Sequence, residues 1–281
     1  MIYILYNPQS GDRRTKEKDS LLQLEQQYNT KKIDITQISD YSEFFSPLSE
    51  NDTLILCGGD GTINHFVNRT KGIEIKADIL YAPLGTGNDL ARDLNKSIND
   101  GPFSIKHVLK DLPTATVEGK TYHFLNNVGF GIDGYCCEQG DIKKQKSTKP
   151  VDYTAIATKG LLYDFKARNA TITVDGKTTK YHRVWIACTL KGRYYGGGML
   201  AAPNQDRFDE NKTLSLVVIH KSRKLKTLIV FPKIFKGEHV KHTDMVDIQT
   251  GHEISVKFDR PTPLQIDGET FLNITEYSIK A

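Results

Sequence analysis

The sequence predicts an α/β domain followed by a β-rich domain. The 281-residue length fits about two domains. Short apolar runs alternate with amphipathic stretches up to about residue 110, and strand-like runs dominate from about residue 112. Strands separated by helices are typical of βαβ units and a mainly parallel sheet, whereas closely spaced strands with turn signals are typical of all-β architectures. We therefore predict domains of residues 1–112 and 113–281.

The first domain has four predicted strands. They are the apolar runs at residues 2–6, 32–38, 53–57 and 79–83. Between the first two runs, residues 15–28 carry leucines in a helical setting. This order of elements predicts parallel pairing around a buried sheet.

The second domain has six predicted strands and two predicted helices. The strands cover residues 122–128, 171–174, 183–189, 214–219, 253–258 and 273–279, and the helices cover residues 151–165 and 224–235. Turn signals such as Asp175-Gly176 separate the strands. We keep the last strand, about residues 271–281, as a candidate to return to the first domain.

Composition excludes several classes of protein. A formal net charge of +4 is too small to indicate nucleic-acid binding. No apolar run approaches the about 20 residues of a membrane span, and the N-terminal residues do not have the pattern of a signal peptide. The four cysteines include an adjacent pair and no CxxC motif, which favours free thiols in a reducing cytosol over a disulfide framework or a zinc site. We therefore expect a cytoplasmic protein.

Three glycine-containing turns follow predicted strands of the first domain. They span residues 7–11, 58–62 and 85–89. Ligands of open α/β sheets bind beyond the carboxyl ends of the strands, where glycine allows backbone N–H groups to approach an anion. A phosphate-containing ligand is therefore expected, although the P-loop motif is absent. Asp60 and Asp89 lie inside two of these turns, which indicates Mg²⁺ binding or proton transfer.

The motif GGDGT at residues 58–62, followed by PLGTGNDLAR at residues 83–92, resembles the catalytic domain shared by diacylglycerol kinases, sphingosine kinases and bacterial lipid kinases. Further similar segments occur in the family's order at residues 7–11, 126–133, 196–199, 236–242 and 266–269. GGDGT alone also occurs in NAD kinases. The resemblance implies an NAD-kinase-like α/β nucleotide-binding domain followed by a β-sandwich domain.

The resemblance also implies site residues and two cofactors, ATP and Mg²⁺. Essential carboxylates are expected at Asp60 and Asp89, and the general base is expected from the pair Asp267 and Glu269. The implied nucleotide-binding residues are Asn7, Pro8, Gln9, Ser10, Gly11, Gly58, Gly59, Asp60, Gly61, Thr62, Ile63, Asn64 and Thr86.

The family's structural Mg²⁺ site corresponds to residues 207–212. The implied ligands are the carbonyl groups of Arg207 and Lys212 and the carboxylate of Glu210. This sequence departs from the family pattern, because Glu210 stands where the family has a second Asp and Asn211 where it has Gly.

The residues around Asp267 and Glu269 allow two interpretations of their local structure. On an extended segment, Asp267 and Glu269 would lie on one face because side chains alternate with period two. Alternatively, Asp267-Gly268 is a common hairpin-turn dipeptide.

Several further features are less specific. The GxGxxG match at residues 129–134 has no predicted helix after it, so we do not interpret it as a dinucleotide site. Asp133 either orders an acceptor head group or caps a turn. The basic run at residues 143–149 is expected to be a solvated loop, and the one at residues 221–226 to open a helix that packs on the core. Alternatively, either run forms a surface that faces anionic lipid. His239 and His242 favour a surface or phosphate-contacting cluster over a zinc site.

These observations predict an ATP- and Mg²⁺-dependent kinase that phosphorylates a lipid hydroxyl, with diacylglycerol as the favoured acceptor. The expected partners are a lipid substrate at a membrane surface, reached by peripheral association, with no nucleic acid and with a homodimer as a candidate assembly. NAD kinase activity and a non-catalytic nucleotide-binding regulatory role are the alternatives.

Overall fold

The computed structural model describes residues 1–8, 26, 30–147 and 151–281. The chain divides into two compact units, Met1–Leu112 and Pro113–Ala281. An α/β architecture in the first unit and an antiparallel β architecture in the second confirm the predicted fold class. Within the described residues, no helix is both long and apolar enough to cross a membrane.

The first unit is built on a five-stranded sheet. Its strands are β1 (Ile2–Tyr6), β2 (Thr30–Asp34), β3 (Thr53–Gly58), β4 (Asp78–Pro83) and β5 (Phe103–Ser104), in the order β2-β1-β3-β4-β5. The first four strands are parallel, and β5 is antiparallel to β4. The carboxyl ends of β1, β3 and β4 therefore share one edge of the sheet.

Over residues 30–112, four short α-helices accompany this sheet. They are α1 (Tyr41–Phe45), α2 (Asp60–Arg69), α3 (Asp89–Asp93) and α4 (Lys106–Leu109). Helix α2 buries Ile63, Phe66 and Val67. Its first residue directly follows the Gly58-Gly59 end of β3, so the helix starts at the sheet edge where β1, β3 and β4 end.

The second strand is shorter than predicted. It ends at Asp34, whose side chain accepts the backbone N–H of Thr36 at 2.9 Å and starts a 3₁₀ turn over Ile35–Gln37. The local hydrogen bond competes with continued strand pairing. Apart from Gln26, the predicted helix at residues 15–28 lies outside the described residues.

The second unit contains a ten-stranded antiparallel sheet. The strands are β6 (Thr114–Val117), β7 (Lys120–His123), β8 (Asn127–Gly131), β9 (Arg168–Val174), β10 (Lys177–Val184), β11 (Ile186–Leu190), β14 (Leu214–Ile219), β15 (Val246–Gly251), β16 (Glu253–Ile266) and β17 (Glu269–Lys280). Eight of them follow the order β15-β14-β11-β8-β16-β17-β6-β7, and β9 pairs with both β16 and β10. A separate two-stranded ribbon joins β12 (Tyr194–Tyr195) and β13 (Met199–Leu200).

Apolar side chains are buried on both faces of this sheet. In β14, Leu216 and Val218 belong to one buried cluster, whereas Val217 and Ile219 belong to another. The second cluster also contains helix residues such as Val230. A strand buried on both faces reads as a continuous apolar run, which explains why the sequence at residues 214–219 predicts this strand correctly.

The second unit has one helix that the sequence analysis missed. Helix α5 (Ile132–Lys146) directly follows β8, whereas α6 (Tyr153–Lys159) and α7 (Lys224–Val230) lie within the predicted helices. The missed helix contains Gly134 and Gly140. A Cβ at Gly134 would lie 1.8 Å from the Pro263 carbonyl oxygen, and one at Gly140 would lie 2.7 Å from the Tyr153 ring. These glycines permit close packing and do not mark turns.

Helix α5 changes two interpretations of the sequence. A helix does follow the GxGxxG match, contrary to prediction, but β8 pairs antiparallel with β11 and β16 and is therefore not part of a βαβ dinucleotide unit. Lys143, Lys144 and Lys146 occupy the last helical turn instead of a loop. Positive charge there complements the carbonyl end of the helix. Residues 148 and 149 of the same run lie outside the described residues.

The pairing partners of the last strand lie in the second unit, and its return to the first unit stays a prediction. Strand β17 pairs with β16 and β6, which both belong to the second unit. The predicted strand at residues 122–128 is instead two strands, β7 and β8, separated by Phe124, Leu125 and Asn126. The hydrogen bonds that interrupt the strands at this point belong to the candidate site.

Candidate functional site

Two glycine-containing loops of the first unit pack backbone against backbone. We call residues 58–62 the first loop and residues 83–89 the second loop. The backbone N–H groups of Leu84 and Gly85 donate to the Gly58 carbonyl at 2.9 and 3.0 Å. A Cβ at Gly85 would lie 2.3 Å from the Gly59 Cα, so no larger residue fits without moving a loop. Glycine here allows close loop contact.

The Asp60 carboxylate joins the two loops. Its Oδ2 accepts the Asp89 N–H at 2.7 Å, and its Oδ1 accepts the Leu90 N–H at 2.9 Å. These N–H groups open helix α3, whose N-cap residue Asn88 makes no side-chain cap bond. Asp60 therefore caps a helix that starts 29 residues later in the chain. We call this arrangement the Asp60 clamp.

Asn88 closes the second loop on itself. It has a left-handed backbone with φ of 49°, and its Nδ2 donates to the carbonyls of Pro83 and Gly85 at 3.0 and 2.6 Å. Its Oδ1 accepts from the Gly85 N–H and the Tyr81 hydroxyl, each at 3.1 Å. Burial raises the pKa of Tyr81 well above its ordinary value, so this hydroxyl stays a donor. Asn88 was not among the expected site residues, although Asn is typical where a turn needs positive φ.

The first loop and the start of α2 divide the expected nucleotide-binding residues into two groups. Gly61 is exposed and has open space around its Cβ position, and the buried Thr62 hydroxyl has no hydrogen-bond partner among the described residues. Ile63 is fully buried, and Asn64 is buried and accepts from Asn68. The Ile63 side chain is therefore part of the core and not available to a ligand.

The remaining expected nucleotide residues lie at the same sheet edge or outside the described chain. Asn7 and Pro8 follow β1, and Thr86 is exposed on the second loop. Gln9, Ser10 and Gly11 lie outside the described residues. An open glycine at a helix N-terminus next to a buried, unpartnered hydroxyl suits the phosphates of a nucleotide.

The expected Mg²⁺ ligands at residues 207–212 lie in a loop that a different carboxylate organises. Asp209 accepts the backbone N–H groups of Asn211 and Thr213, both at 3.1 Å, and the Thr213 hydroxyl. Glu210 is exposed, and Lys212 has a left-handed φ of 56°. Over the described residues, no group of three or more His, Cys, Asp or Glu side chains is arranged to hold a metal ion. The role of Arg207, Glu210 and Lys212 as Mg²⁺ ligands therefore stays a prediction.

The Arg207 side chain has a structural role. It is buried, and its guanidinium donates to the Leu125 carbonyl and to Asn126 Oδ1 at 2.5 and 2.8 Å. Arg207 thus holds residues 125 and 126, which belong to the segment between β7 and β8.

Asp267 holds the same segment from the other side. It forms a two-residue turn with Gly268 between β16 and β17, with φ values of 46° and 91°. Its carboxylate accepts the N–H groups of Leu125, Asn126 and Asn127 at 2.5, 2.8 and 2.9 Å. We call this arrangement the Asp267 clamp. The hairpin reading of Asp267-Gly268 is therefore correct, and the extended segment that would align Asp267 with Glu269 is wrong.

Glu269 differs from Asp267. It is the first residue of β17 and is exposed. Its carboxylate has no hydrogen bond or ion pair with any residue in the described ranges. Within the described ranges, the Asp267 carboxylate holds backbone N–H groups and the Glu269 carboxylate does not.

A buried polar cluster lies beneath the start of α5. The Tyr195 hydroxyl donates to Asp133 Oδ1 at 2.9 Å, and Asn127 Nδ2 contacts Cys188 Sγ at 3.1 Å. Burial raises the pKa of Asp133 to about 7, although hydrogen bonds from Tyr195 and Cys188 oppose this shift. No backbone N–H group in the described residues donates to the Asp133 carboxylate, so the expectation that it caps a turn is wrong.

Comparison with known proteins finds a matching family for each part of the chain. Residues 1–118 match the diacylglycerol kinase catalytic domain, and residues 126–276 match the YegS C-terminal NAD kinase beta sandwich-like domain. The chain is 26% identical to a diacylglycerol kinase of Staphylococcus aureus (strain MRSA252), over 98% of this chain and 90% of the relative. It is also 26% identical to YtlR of Bacillus subtilis (strain 168), provisionally named a lipid kinase, over 77% of this chain and 73% of the relative.

A solved structure extends this likeness to the whole fold. A diacylglycerol kinase from Bacillus anthracis str. Sterne matches 99% of this chain and 92% of its own chain with a TM-score of 0.63 at 19% identity. The two matching family models define the class as kinases with an NAD-kinase-like fold. The chain belongs to the lipid kinase family that combines a diacylglycerol kinase catalytic domain with a YegS-type C-terminal domain.

The first prediction tests the Asp60 clamp. In Asp60→Asn, one oxygen is replaced by an amide NH₂ that faces an N–H donor, so α3 and the second loop lose part of their anchor. We expect the free energy of unfolding to fall by about 1–3 kcal/mol and turnover to fall by at least about 100-fold. Urea unfolding and a kinase assay measure the two effects.

Asp40→Asn is the matched control. Asp40 also accepts two backbone N–H groups at a helix start, those of Ser42 and Glu43, but it lies at α1. This variant should keep full turnover. Equal losses of turnover in both variants would contradict a specific role for the Asp60 clamp.

The second prediction concerns Asp133. Because its pKa is raised on folding, the folded protein binds the Asp133 proton more tightly than the unfolded chain does. Its contribution to stability therefore falls as pH rises from about 4 to about 7 and is constant above that. Asp133→Asn keeps the acceptor for Tyr195 and removes this titration.

Urea unfolding of both proteins at about pH 5.5 and about pH 8 measures the effect. Between these pH values, the stability of the variant relative to the parent should rise by about 2 kcal/mol, or 1.4 kcal/mol for each pH unit below 7. A difference that does not change with pH would show that the Asp133 pKa is not raised.

Proposed function

We propose that this protein is an ATP-dependent lipid kinase that transfers the γ-phosphoryl group to the free hydroxyl of diacylglycerol and produces phosphatidic acid. The observation that carries the proposal is the Asp60 clamp, which fixes two glycine-containing loops at one sheet edge. The names of the diacylglycerol kinase relatives support the acceptor class. Phosphoryl transfer depends mainly on positioning and charge stabilisation, for which rigid backbone loops are suited.

The nucleotide would bind against the first loop. Gly61 has no atoms near its Cβ position, so a phosphate can approach its backbone closely. The buried Thr62 hydroxyl, which has no hydrogen-bond partner among the described residues, would gain one if a phosphate oxygen reached it. Thr86 on the second loop is exposed and can add a hydroxyl donor.

Of the two aspartates in the first and second loops, we assign Asp89 as the Mg²⁺ ligand. Both Asp60 oxygens already accept backbone N–H groups, so the Asp60 carboxylate is committed to the clamp. Carboxylate oxygen is a ligand that Mg²⁺ prefers, and no larger acidic cluster occurs in the described chain. Bound with ATP, Mg²⁺ would neutralise the charge that develops on the phosphates.

We assign Glu269 as the group that accepts the proton of the acceptor hydroxyl. Glu269 is exposed and has no hydrogen-bond partner in the described ranges, so its carboxylate can approach a substrate without breaking a contact there. Asp267 is then a positioning residue, because its clamp fixes the hairpin that carries Glu269. General-base catalysis of this kind contributes about 10²- to 10⁴-fold.

The setting we propose is the cytoplasmic side of a membrane, where the enzyme meets its lipid by peripheral association. NAD kinase activity remains an alternative because the GGDGT motif is shared with that class. The PLGTGND sequence of the second loop favours the lipid branch.

The third prediction tests the substrate class. With radiolabelled ATP and Mg²⁺, diacylglycerol should be labelled faster than ceramide, sphingosine, undecaprenol or NAD in mixed micelles. Heat-inactivated protein and the Asp60→Asn variant are the controls. Faster labelling of NAD than of any lipid would assign the alternative activity, and ATP binding without any labelling would indicate a non-catalytic role.

The fourth prediction separates the two late acids. Glu269→Gln should lower kcat by about 100-fold or more while ATP affinity and unfolding free energy stay unchanged, because it removes only the proton acceptor. Asp267→Asn should also lower the unfolding free energy, by about 1–3 kcal/mol, because three buried or half-buried N–H groups depend on it.

Glu276→Gln is the matched control for this pair. Glu276 is an exposed acid on the same strand, β17, paired with Lys257 at 2.9 Å. Its loss should leave kcat unchanged, since exposed ion pairs contribute little. If Glu269→Gln keeps the parent kcat, the proton acceptor is another group.

A further inference from the structure

The segment from Lys221 to Lys236 combines positive charge with exposed apolar side chains. It contains six Lys or Arg residues and no Asp or Glu. Leu225 is 74% exposed and Ile229 is 68% exposed, which are high values for large apolar residues. Phe235 in the following 3₁₀ turn is 45% exposed. We call this surface the basic apolar face.

This exposure is not a sign of a loosely packed helix. Thr227 and Val230 are buried on the inner side of α7, and Leu225 and Ile229, four residues apart, share the opposite side. The segment that enters the helix is anchored as well. The Trp185 indole donates to the Ser222 carbonyl at 3.2 Å, and the Ser222 and Thr227 hydroxyls lie 2.7 Å apart. The fold therefore holds two apolar side chains outward.

A neighbouring turn extends the face. Lys224 Nζ donates to the Leu162 carbonyl at 2.8 Å, which brings α7 beside Tyr163, a residue that is 71% exposed. Two acids lie nearby: Asp164 pairs with Lys159 outside the segment, and Asp244 pairs with Lys226, which is one of the six basic residues. The other five basic residues of the segment outnumber this one acid. The net charge of the face therefore stays positive.

We infer that the basic apolar face docks on an anionic lipid bilayer, with Leu225 and Ile229 inserted among the acyl chains and the surrounding lysines and Arg223 against the head groups. This inference rests on the proposed function, in which the acceptor is a membrane lipid. Amphipathic helices with basic flanks bind membranes through both buried apolar area and charge attraction.

Charge favours a bilayer over a second copy of the chain as the occupant. In a two-fold symmetric dimer the same patch meets itself, so the basic residues would face each other. Anionic head groups, in contrast, complement them. The attraction should also weaken as salt rises, because these charges are exposed.

The test measures vesicle binding without ATP. Vesicles of phosphatidylcholine with about one third phosphatidylglycerol are sedimented with the protein, and pure phosphatidylcholine vesicles serve as the charge control. The double variant Leu225→Ser/Ile229→Ser should bind the anionic vesicles at least about tenfold more weakly than the parent. This loss is expected because two apolar side chains would no longer be inserted in the bilayer. Leu272→Ser is the matched control, since Leu272 is 55% exposed on β17 and lies outside the face.

Turnover of a short-chain, water-soluble diacylglycerol separates this inference from the proposed function. The double variant should keep parental kcat with this substrate and lose activity only on vesicle-borne substrate. Undiminished vesicle binding by the double variant would overturn the docking surface. If gel filtration also showed a parental dimer that the double variant cannot form, the face would be assigned to a second copy. Vesicle binding as expected, with no lipid phosphorylated by any protein, would reject the proposed function and leave the docking surface in place.

Discussion

The candidate site of the first unit depends on the two hydrogen bonds that the Asp60 carboxylate accepts from backbone N–H groups. These N–H groups lie at the start of α3, where the N-cap residue Asn88 makes no side-chain cap bond. The short helix would otherwise have uncapped donors beside a loop that turns through a left-handed Asn88. Because Asp60 also begins α2, one side chain ties the ends of β3 and β4 together and fixes both loops for any ligand that binds across them.

The second unit uses the same chemistry at a different place. Asp267 accepts three backbone N–H groups from residues 125–127, and Arg207 holds the carbonyl and side-chain oxygens of that segment. The segment therefore leaves the sheet between β7 and β8 without unsatisfied donors, which would be costly where the chain is buried. In both units, an aspartate within a glycine-containing motif first holds backbone in position, and any chemistry at the motif depends on this positioning.

Sequence patterns predicted the elements whose cause is local or periodic. The apolar runs of β1, β3, β4 and β14 are buried strands, and the change of rhythm after residue 110 marks the change from a parallel to an antiparallel sheet. Helix α5 was not predicted, and it contains Gly134 and Gly140, which lower helix propensity. Contacts with Pro263 and Tyr153, which the sequence does not reveal, require these glycines. The two clamps could not be predicted either, because their partners lie 29 and about 140 residues away. Spacing alone does not reveal where a carboxylate finds its donors.

The Asp60 clamp resolves a difficulty that the sequence raises. A negative side chain inside a loop suited to phosphate would repel the ligand, and this repulsion led us to expect Mg²⁺ or proton transfer at Asp60. The structure offers a third explanation. Both Asp60 oxygens accept N–H groups of the second loop, so the partial positive charge of those donors offsets the carboxylate charge. The N–H groups of the first loop near the exposed Gly61 can then meet a phosphate. In the function we propose, Asp60 and Asp89 therefore have different tasks: Asp60 would shape the phosphate site, and the carboxylate of Asp89 would hold the metal.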